Sequence, residues 1–171
     1  MTHTKLYLVG FMAAGKSTLA RALARALDWE MVDTDALIEE RQGVSIAQIF
    51  ATQGEPAFRA AERAVLEELA LRQRLVVATG GGLYVAPDNR ALIDRDGVAI
   101  WLDVSLKRVI ERLPRDGRRP LAVDRADLER LYQARQAAYR QAHLRLDAEM
   151  AAPDELVELV REWLGRQPST H

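Results

Sequence analysis

The chain has 171 residues, a length suited to one compact domain and too short for two ordinary enzyme domains with a linker. At this size roughly 70% of the extended-chain surface can be buried on folding, and the absence of cysteine excludes a disulfide scaffold, Cys-ligated zinc and a thiol nucleophile. A hydrophobic fraction of 49% excludes wholesale disorder, and a formal net charge of -1 argues against a generally basic nucleic-acid binder.

In chain order, apolar runs at Leu6–Val9, Glu30–Val32, Leu75–Ala78 and Val98–Leu102 are expected to be strands, with a fifth at Leu144–Leu146. The segments between them are rich in Ala, Leu, Glu and Arg, with apolar residues three or four apart, as at Leu19, Leu23, Ala26 and Leu27 or at Ala61, Val65 and Leu69. Those spacings predict helices. Strands that are apolar throughout and alternate with helices imply a parallel sheet covered on both faces. Residues 45–72 break the alternation with two successive helical patterns separated at Gly54-Glu-Pro56, so a helical insert is expected between strands two and three. Residues 114–125 carry two prolines and a glycine without either period and are expected to form a basic loop. A closing helix is expected from about Asp154 to Leu164, and a frayed tail from Arg166. The longest apolar stretches run five to seven residues, so no transmembrane or secretory segment is expected and the chain reads as soluble and cytoplasmic.

Most of the chemical information sits directly after the first strand, in Gly10-Phe-Met-Ala-Ala-Gly15-Lys16-Ser17-Thr18. Glycine, four residues, glycine, lysine and a hydroxyl residue, set between a strand and a helix, form a phosphate-binding loop. Backbone N–H groups and the positive end of the following helix meet phosphate oxygens there; Lys16 adds a charge at the β and γ phosphates and Ser17 a hydroxyl for Mg²⁺. The motif indicates a nucleoside triphosphate and leaves the reaction open.

Three further segments narrow it. Asp33-Thr-Asp35 closes strand two, at the sheet edge where ligands of parallel sheets bind; one carboxylate could face the metal and the other an acceptor, or Asp35 could cap the next helix. Thr79-Gly-Gly-Gly82 closes strand three with more glycine than a tight turn needs, which lets a ligand approach the backbone. Arg59 and Glu62 share a helix face, where the spacing alone favours a surface ion pair over a guanidinium held to fork onto a substrate carboxylate. Asp103 is a second candidate for a metal-side carboxylate, with a helix N-cap before Ser105 the favoured role.

The ordered set of these segments, together with Ser45-Ile-Ala-Gln-Ile-Phe50, Gly54-Glu55, Phe58, Arg118-Arg119-Pro120-Leu121, and Arg135 four residues before Tyr139, resembles the shikimate kinase family along nearly the whole chain. The resemblance implies a single domain over residues 1–171 with a three-layer α/β/α fold around a five-stranded parallel sheet. It also implies an acceptor-binding insert at about 34–62 and a lid at about 113–125. The implied reaction is Mg²⁺-dependent transfer of the ATP γ-phosphoryl group to the 3-hydroxyl of shikimate, in the formation of chorismate and aromatic amino acids, by a cytoplasmic monomer. By position, the catalytic residues would be Asp35, Lys16 and Arg119. ATP would be held by Ala13, Ala14, Gly15, Lys16, Ser17, Thr18, Arg112 and Arg119, and the metal by Ser17 and Asp33. Shikimate would be held by Asp35, by the Arg59 and Arg135 pair on its carboxylate and by the Gly81 N–H, with Phe50 and Phe58 as walls.

The chain departs from the family pattern at Ala13, where another glycine is usual, and at Asp147–Pro153, which lacks the arginine often found near the adenine. A kinase for gluconate or a nucleoside monophosphate is the nearest rival. A guanine-dependent switch would want an Asn-Lys-x-Asp segment, which is absent, and the Asp94-x-x-Gly97 match precedes a strand where it should follow one. By segment, Lys107–Arg135 carries +4 and the remainder -5, a basic region suited to polyphosphate.

Overall fold

The structure is a computed structural model that describes residues 3–113 and 124–168. Five strands, β1 (Lys5–Val9), β2 (Glu30–Asp33), β3 (Leu75–Ala78), β4 (Val98–Asp103) and β5 (Leu144–Asp147), form one sheet in the order β2-β3-β1-β4-β5, with every pair parallel. Each expected strand is present, and β2, β4 and β5 each run one residue further, to an aspartate. Residues of β1 and β3 are buried on both faces, which is why they read as unbroken apolar runs.

Eight α-helices are described: α1 (Lys16–Leu27), α2 (Thr34–Gln42), α3 (Ile46–Gln53), α4 (Glu55–Ala70), α5 (Pro87–Asp96), α6 (Leu106–Arg112), α7 (Arg125–Tyr139) and α8 (Pro153–Arg166). The step from β1 to β2 runs toward one sheet edge, whereas those from β3 to β4 and β4 to β5 run toward the other. Right-handed crossovers then put α1 on one face and α5 to α7 on the opposite face. The packing agrees: α1 lies against β1, β2, β3 and α8, while α5 lies against β4 and α4. The result is the expected three-layer α/β/α arrangement. A crevice opens beside β1 because its chain leaves to the other face from those of its neighbours.

The helical insert holds three helices, α2, α3 and α4. Gly54, at φ 84°, makes the break between α3 and α4; Glu55 and Pro56 belong to the first turn of α4, where a proline lacking its N–H is tolerated. The basic loop ends by Asp124, whose side chain accepts from the Ala126 N–H and caps α7, so Arg125 is helical. The rest of that loop, including Arg118, Arg119 and Leu121, lies outside the described residues, as does the end of the tail. Among the described residues no helix is long and apolar enough to cross a membrane.

Candidate active site

β1 ends at Val9 and the phosphate loop follows. Gly10 stands at φ 145°, and a Cβ there would come 2.8 Å from the Leu102 carbonyl oxygen, so only glycine lets the loop leave between β1 and β4. Gly15, at φ 99°, opens α1. Among the eight described α-helices, α1 alone has neither a side-chain cap nor an acidic residue in its first turn. Its first N–H groups and positive dipole end are therefore left for an anion from outside the helix. Ala13 takes φ 58°, the left-handed conformation the family's glycine would adopt without cost. The Arg112 guanidinium donates to the Ala13 and Ala14 carbonyls at 3.2 and 3.4 Å and steadies that turn. Lys16 donates from Nζ to the Gly10 and Phe11 carbonyls, across the loop it belongs to.

Asp33 joins this loop to β2. One carboxylate oxygen accepts from the Ser17 hydroxyl at 2.9 Å, and the other from the Asp35 and Ala36 N–H groups at 2.9 and 3.1 Å. The cap of α2 is thus Asp33, in correction of the alternative that assigned it to Asp35, because α2 starts at Thr34, directly after the last residue of β2, with no turn between them. That leaves the Asp35 side chain on the first turn of α2, lining a cavity. Asp103 is not the expected helix cap: its carboxylate pairs with Arg145 across β4 and β5 at 2.7 Å, and α6 is capped by Ser105.

The cavity, of about 510 Å³, lies beyond the ends of β1, β2 and β3 and is lined by Asp33, Asp35, Phe50, Phe58, Arg59, Glu62, all three glycines of the Gly80–Gly82 loop and Arg135. The expected acceptor residues Asp35, Arg59, Gly81 and Arg135 are brought together here. Each glycine makes room for one charged side chain. A Cβ on Gly80 would stand 2.6 Å from Asp35 Oδ1, one on Gly81 2.9 Å from Arg135 Nη1, and one on Gly82 2.6 Å from Arg59 Nη1. The loop is held by two buried hydroxyls: the Gly80 N–H donates to Thr34 Oγ1 at 2.9 Å, and Thr79 Oγ1 donates to the Leu8 carbonyl at 2.8 Å.

Arg59 donates to Glu62 at 2.6 Å and lies 5.3 Å over the Phe58 ring, which in turn packs on Phe50 at 5.0 Å. Glu62 is 1% exposed, so the pair is not the surface ion pair its spacing suggests. Burial pushes the Glu62 carboxyl above the usual glutamate range; the Arg59 guanidinium pulls it back in part, and the Asp35 carboxylate adds to the rise. Arg135, 6% exposed, lies 5.7 Å over the Phe11 ring of the phosphate loop. Two cationic forks thus face one cavity on separate elements, an arrangement suited to a planar carboxylate.

A second cavity of about 430 Å³ lies on the other side of the phosphate loop. It is lined by Ala13, Ala14, Gly15, Thr18, Leu102, Arg112, Ala151 and Pro153, among others. Here the expected nucleotide residues Ala13, Ala14, Gly15, Thr18 and Arg112 meet, with apolar walls suited to a flat base. Lys16 and Ser17 sit between the two cavities. Arg119, expected on the phosphates, lies outside the described residues. Thr34 and Tyr139 stood in segments the sequence reading singled out but were given no role of their own; the position of Thr34 between two aspartates and of Tyr139 one turn beyond Arg135 were the signals available.

Comparison with known proteins agrees with this architecture. The family model described as shikimate kinase matches residues 12–165. A shikimate kinase of Sulfurihydrogenibium sp. is 42% identical over 163 residues, covering 95% of this chain and 98% of the relative. One from Synechococcus elongatus is 44% identical over 154 residues, covering 88% and 80%. Among solved structures, a shikimate kinase from Acinetobacter baumannii in complex with shikimate superposes with a TM-score of 0.89 at 35% identity, covering 95% of this chain and 93% of that one. A deoxyadenosine kinase from M. mycoides, at 18% identity and a TM-score of 0.66, shares the fold alone. Matched by the family model over most of its length, and by relatives above 40% identity along nearly all of it, the chain belongs to the shikimate kinase family.

Proposed function

We propose that the chain is a shikimate kinase, transferring the γ-phosphoryl group of ATP to the 3-hydroxyl of shikimate to give shikimate 3-phosphate and ADP. The observation that carries this reading is the convergence of Asp35, Arg59 and Arg135 on one cavity beside a phosphate loop. The two guanidinium groups take the acceptor carboxylate, and Asp35, on the first turn of α2, receives the hydroxyl. Transfer has a loose transition state, so the protein's work is alignment and neutralisation of oxygen charge. A carboxylate is a weak base toward an alcohol; Asp35 therefore orients the hydroxyl and takes its proton late, as the acceptor oxygen bonds to phosphorus and the bond to ADP breaks. Lys16 and the N–H groups at the start of α1 stabilise the charge on the transferred group.

Mg²⁺ fits the chemistry present. Ser17 and Asp33 supply two hard oxygen donors already hydrogen-bonded to each other, and among the described residues no cluster of three or more His, Cys, Asp or Glu offers a competing cage. A magnesium site of this kind uses one or two protein oxygens and completes itself with phosphate oxygens and water. When bound, the ion neutralises charge on the β and γ phosphates. In this reading the chain acts as a single cytoplasmic domain and a monomer, with its acceptor-binding part at about 34–62 and a lid at about 113–125.

The test is a coupled ADP-release assay with shikimate, gluconate and nucleoside monophosphates as parallel acceptors. Release with shikimate well above the others is expected; release no greater than the background ATPase rate overturns the reading.

A further inference from the structure

Tyr139 closes α7 at the foot of the acceptor cavity, fully buried, with its ring 6.1 Å from that of Trp101 in β4. It stands four residues after Arg135 and so on the same helix face. Its hydroxyl donates to the Gly81 carbonyl at 2.5 Å, and the charge of the Arg135 guanidinium, near enough to be felt at the phenol, opposes the rise that burial gives its pKa. The Gly81 peptide therefore meets Tyr139 at its carbonyl and the Arg135 guanidinium at its Cα. The glycine loop has no side chain of its own to orient it, and a Cβ on Gly81 would stand 2.9 Å from Arg135 Nη1. The loop is tied to β2 and α2 through Thr34, and to α7 through this phenol.

We propose that Tyr139 is a positioning residue that fixes the Gly81 peptide against the Arg135 guanidinium, so that the fork for the acceptor carboxylate and the glycine loop meet the substrate as one unit. The proposal rests on the acceptor reading above. It explains why the phenol is buried at a place where a phenylalanine would pack equally well: only the phenol can donate to the Gly81 carbonyl. It also explains how a helix that follows the basic loop in sequence is held in register with a loop more than fifty residues earlier.

The test is steady-state kinetics on Tyr139→Phe, which keeps the ring and removes the link. The shikimate KM is expected to rise about tenfold, as for loss of one buried hydrogen bond, with the ATP KM within about twofold and kcat changed less than KM. In an Arg135→Ala background the same substitution is expected to alter the shikimate KM less than twofold, because the unit is already broken. Equal rises in both KM values, or additive effects of the two substitutions, overturn the proposal. Tyr139→3,5-difluorotyrosine provides a second route that preserves the fold. The charged or titratable groups facing the hydroxyl are Arg135 and Tyr132 of its own helix and Arg59 of α4, and burial holds the native phenol up at about 12. Fluorination makes the phenol ionise in a range the enzyme can be assayed in. A phenolate cannot donate to Gly81 and holds Arg135 away from the substrate. The variant's shikimate KM is therefore expected to climb between pH 7 and 9.5 while the parent's does not; identical profiles overturn the proposal. Absence of ADP release by the parent with shikimate would instead remove the acceptor reading itself.

Discussion

The acceptor cavity and the nucleotide groove share the phosphate loop as a wall, yet they are built from different material. In the first, six charged side chains line the space, two of them nearly excluded from solvent: Glu62 at 1% and Arg135 at 6%. Each of the three glycines opposite them is a seat for one cation or carboxylate. In the second, alanine, leucine and proline dominate among the described residues, and Arg112, whose guanidinium is the only one among them, is turned onto backbone carbonyls. A nucleotide brings its own charge and a flat base, so backbone N–H groups and a smooth wall suffice. A small acid with several hydroxyls offers little area, and selectivity must come from buried polar groups that lose their partners when the wrong molecule enters.

That contrast can be broken from either side. The largest effect is expected where the two halves meet. Lys16→Ala removes the charge at the transferred group and should lower kcat about 10³-fold or more, while calorimetric affinity for shikimate stays within about threefold; retained turnover would mean that the loop is misread. Next, Arg59→Ala should raise the shikimate KM about 100-fold, the scale of a lost charge-assisted pair, and leave the ATP KM nearly unchanged. Equal losses for both ligands would erase the division between the halves. The smallest effect belongs to Ala13→Gly. Release of a left-handed alanine, at about 1 kcal/mol, is offset by the greater freedom of glycine in the unfolded chain. Denaturant unfolding should therefore shift by less than about 0.5 kcal/mol, and the ATP KM by less than about twofold. A tenfold change in ATP KM would show that the groove depends on that side chain after all.

The sheet was legible because parallel strands buried on both faces leave unbroken apolar runs, and Leu75–Ala78 is read correctly to the residue. The phosphate loop was legible because its chemistry is local. Errors came where a role depends on where a strand stops. Asp33 and Asp35 are two residues apart, and a helix that starts straight after β2, without a turn, makes the first of them the cap. Asp103 looked like a cap for the same reason, but its partner Arg145 lies 42 residues away on β5. The Arg59 and Glu62 pair was misjudged as superficial because helical spacing carries no information about what covers the face; the glycine loop and Asp35 cover it.

By itself, then, the sequence determined the alternation of strands and helices, the position of the phosphate loop and the inventory of charged groups available to it. Each of these rests on spacing within a few residues, where backbone geometry dictates which side chains share a face. The tertiary structure alone decided which charges became a site. Asp35, Arg59, Gly81 and Arg135 span a hundred residues of chain and meet only because the strand order β2-β3-β1 sets the ends of β2 and β3 beside the phosphate loop, and α7 returns across them. Tyr139 shows the same division: its distance from Arg135 is written in the helix, but its bond to Gly81 exists only once the fold has closed.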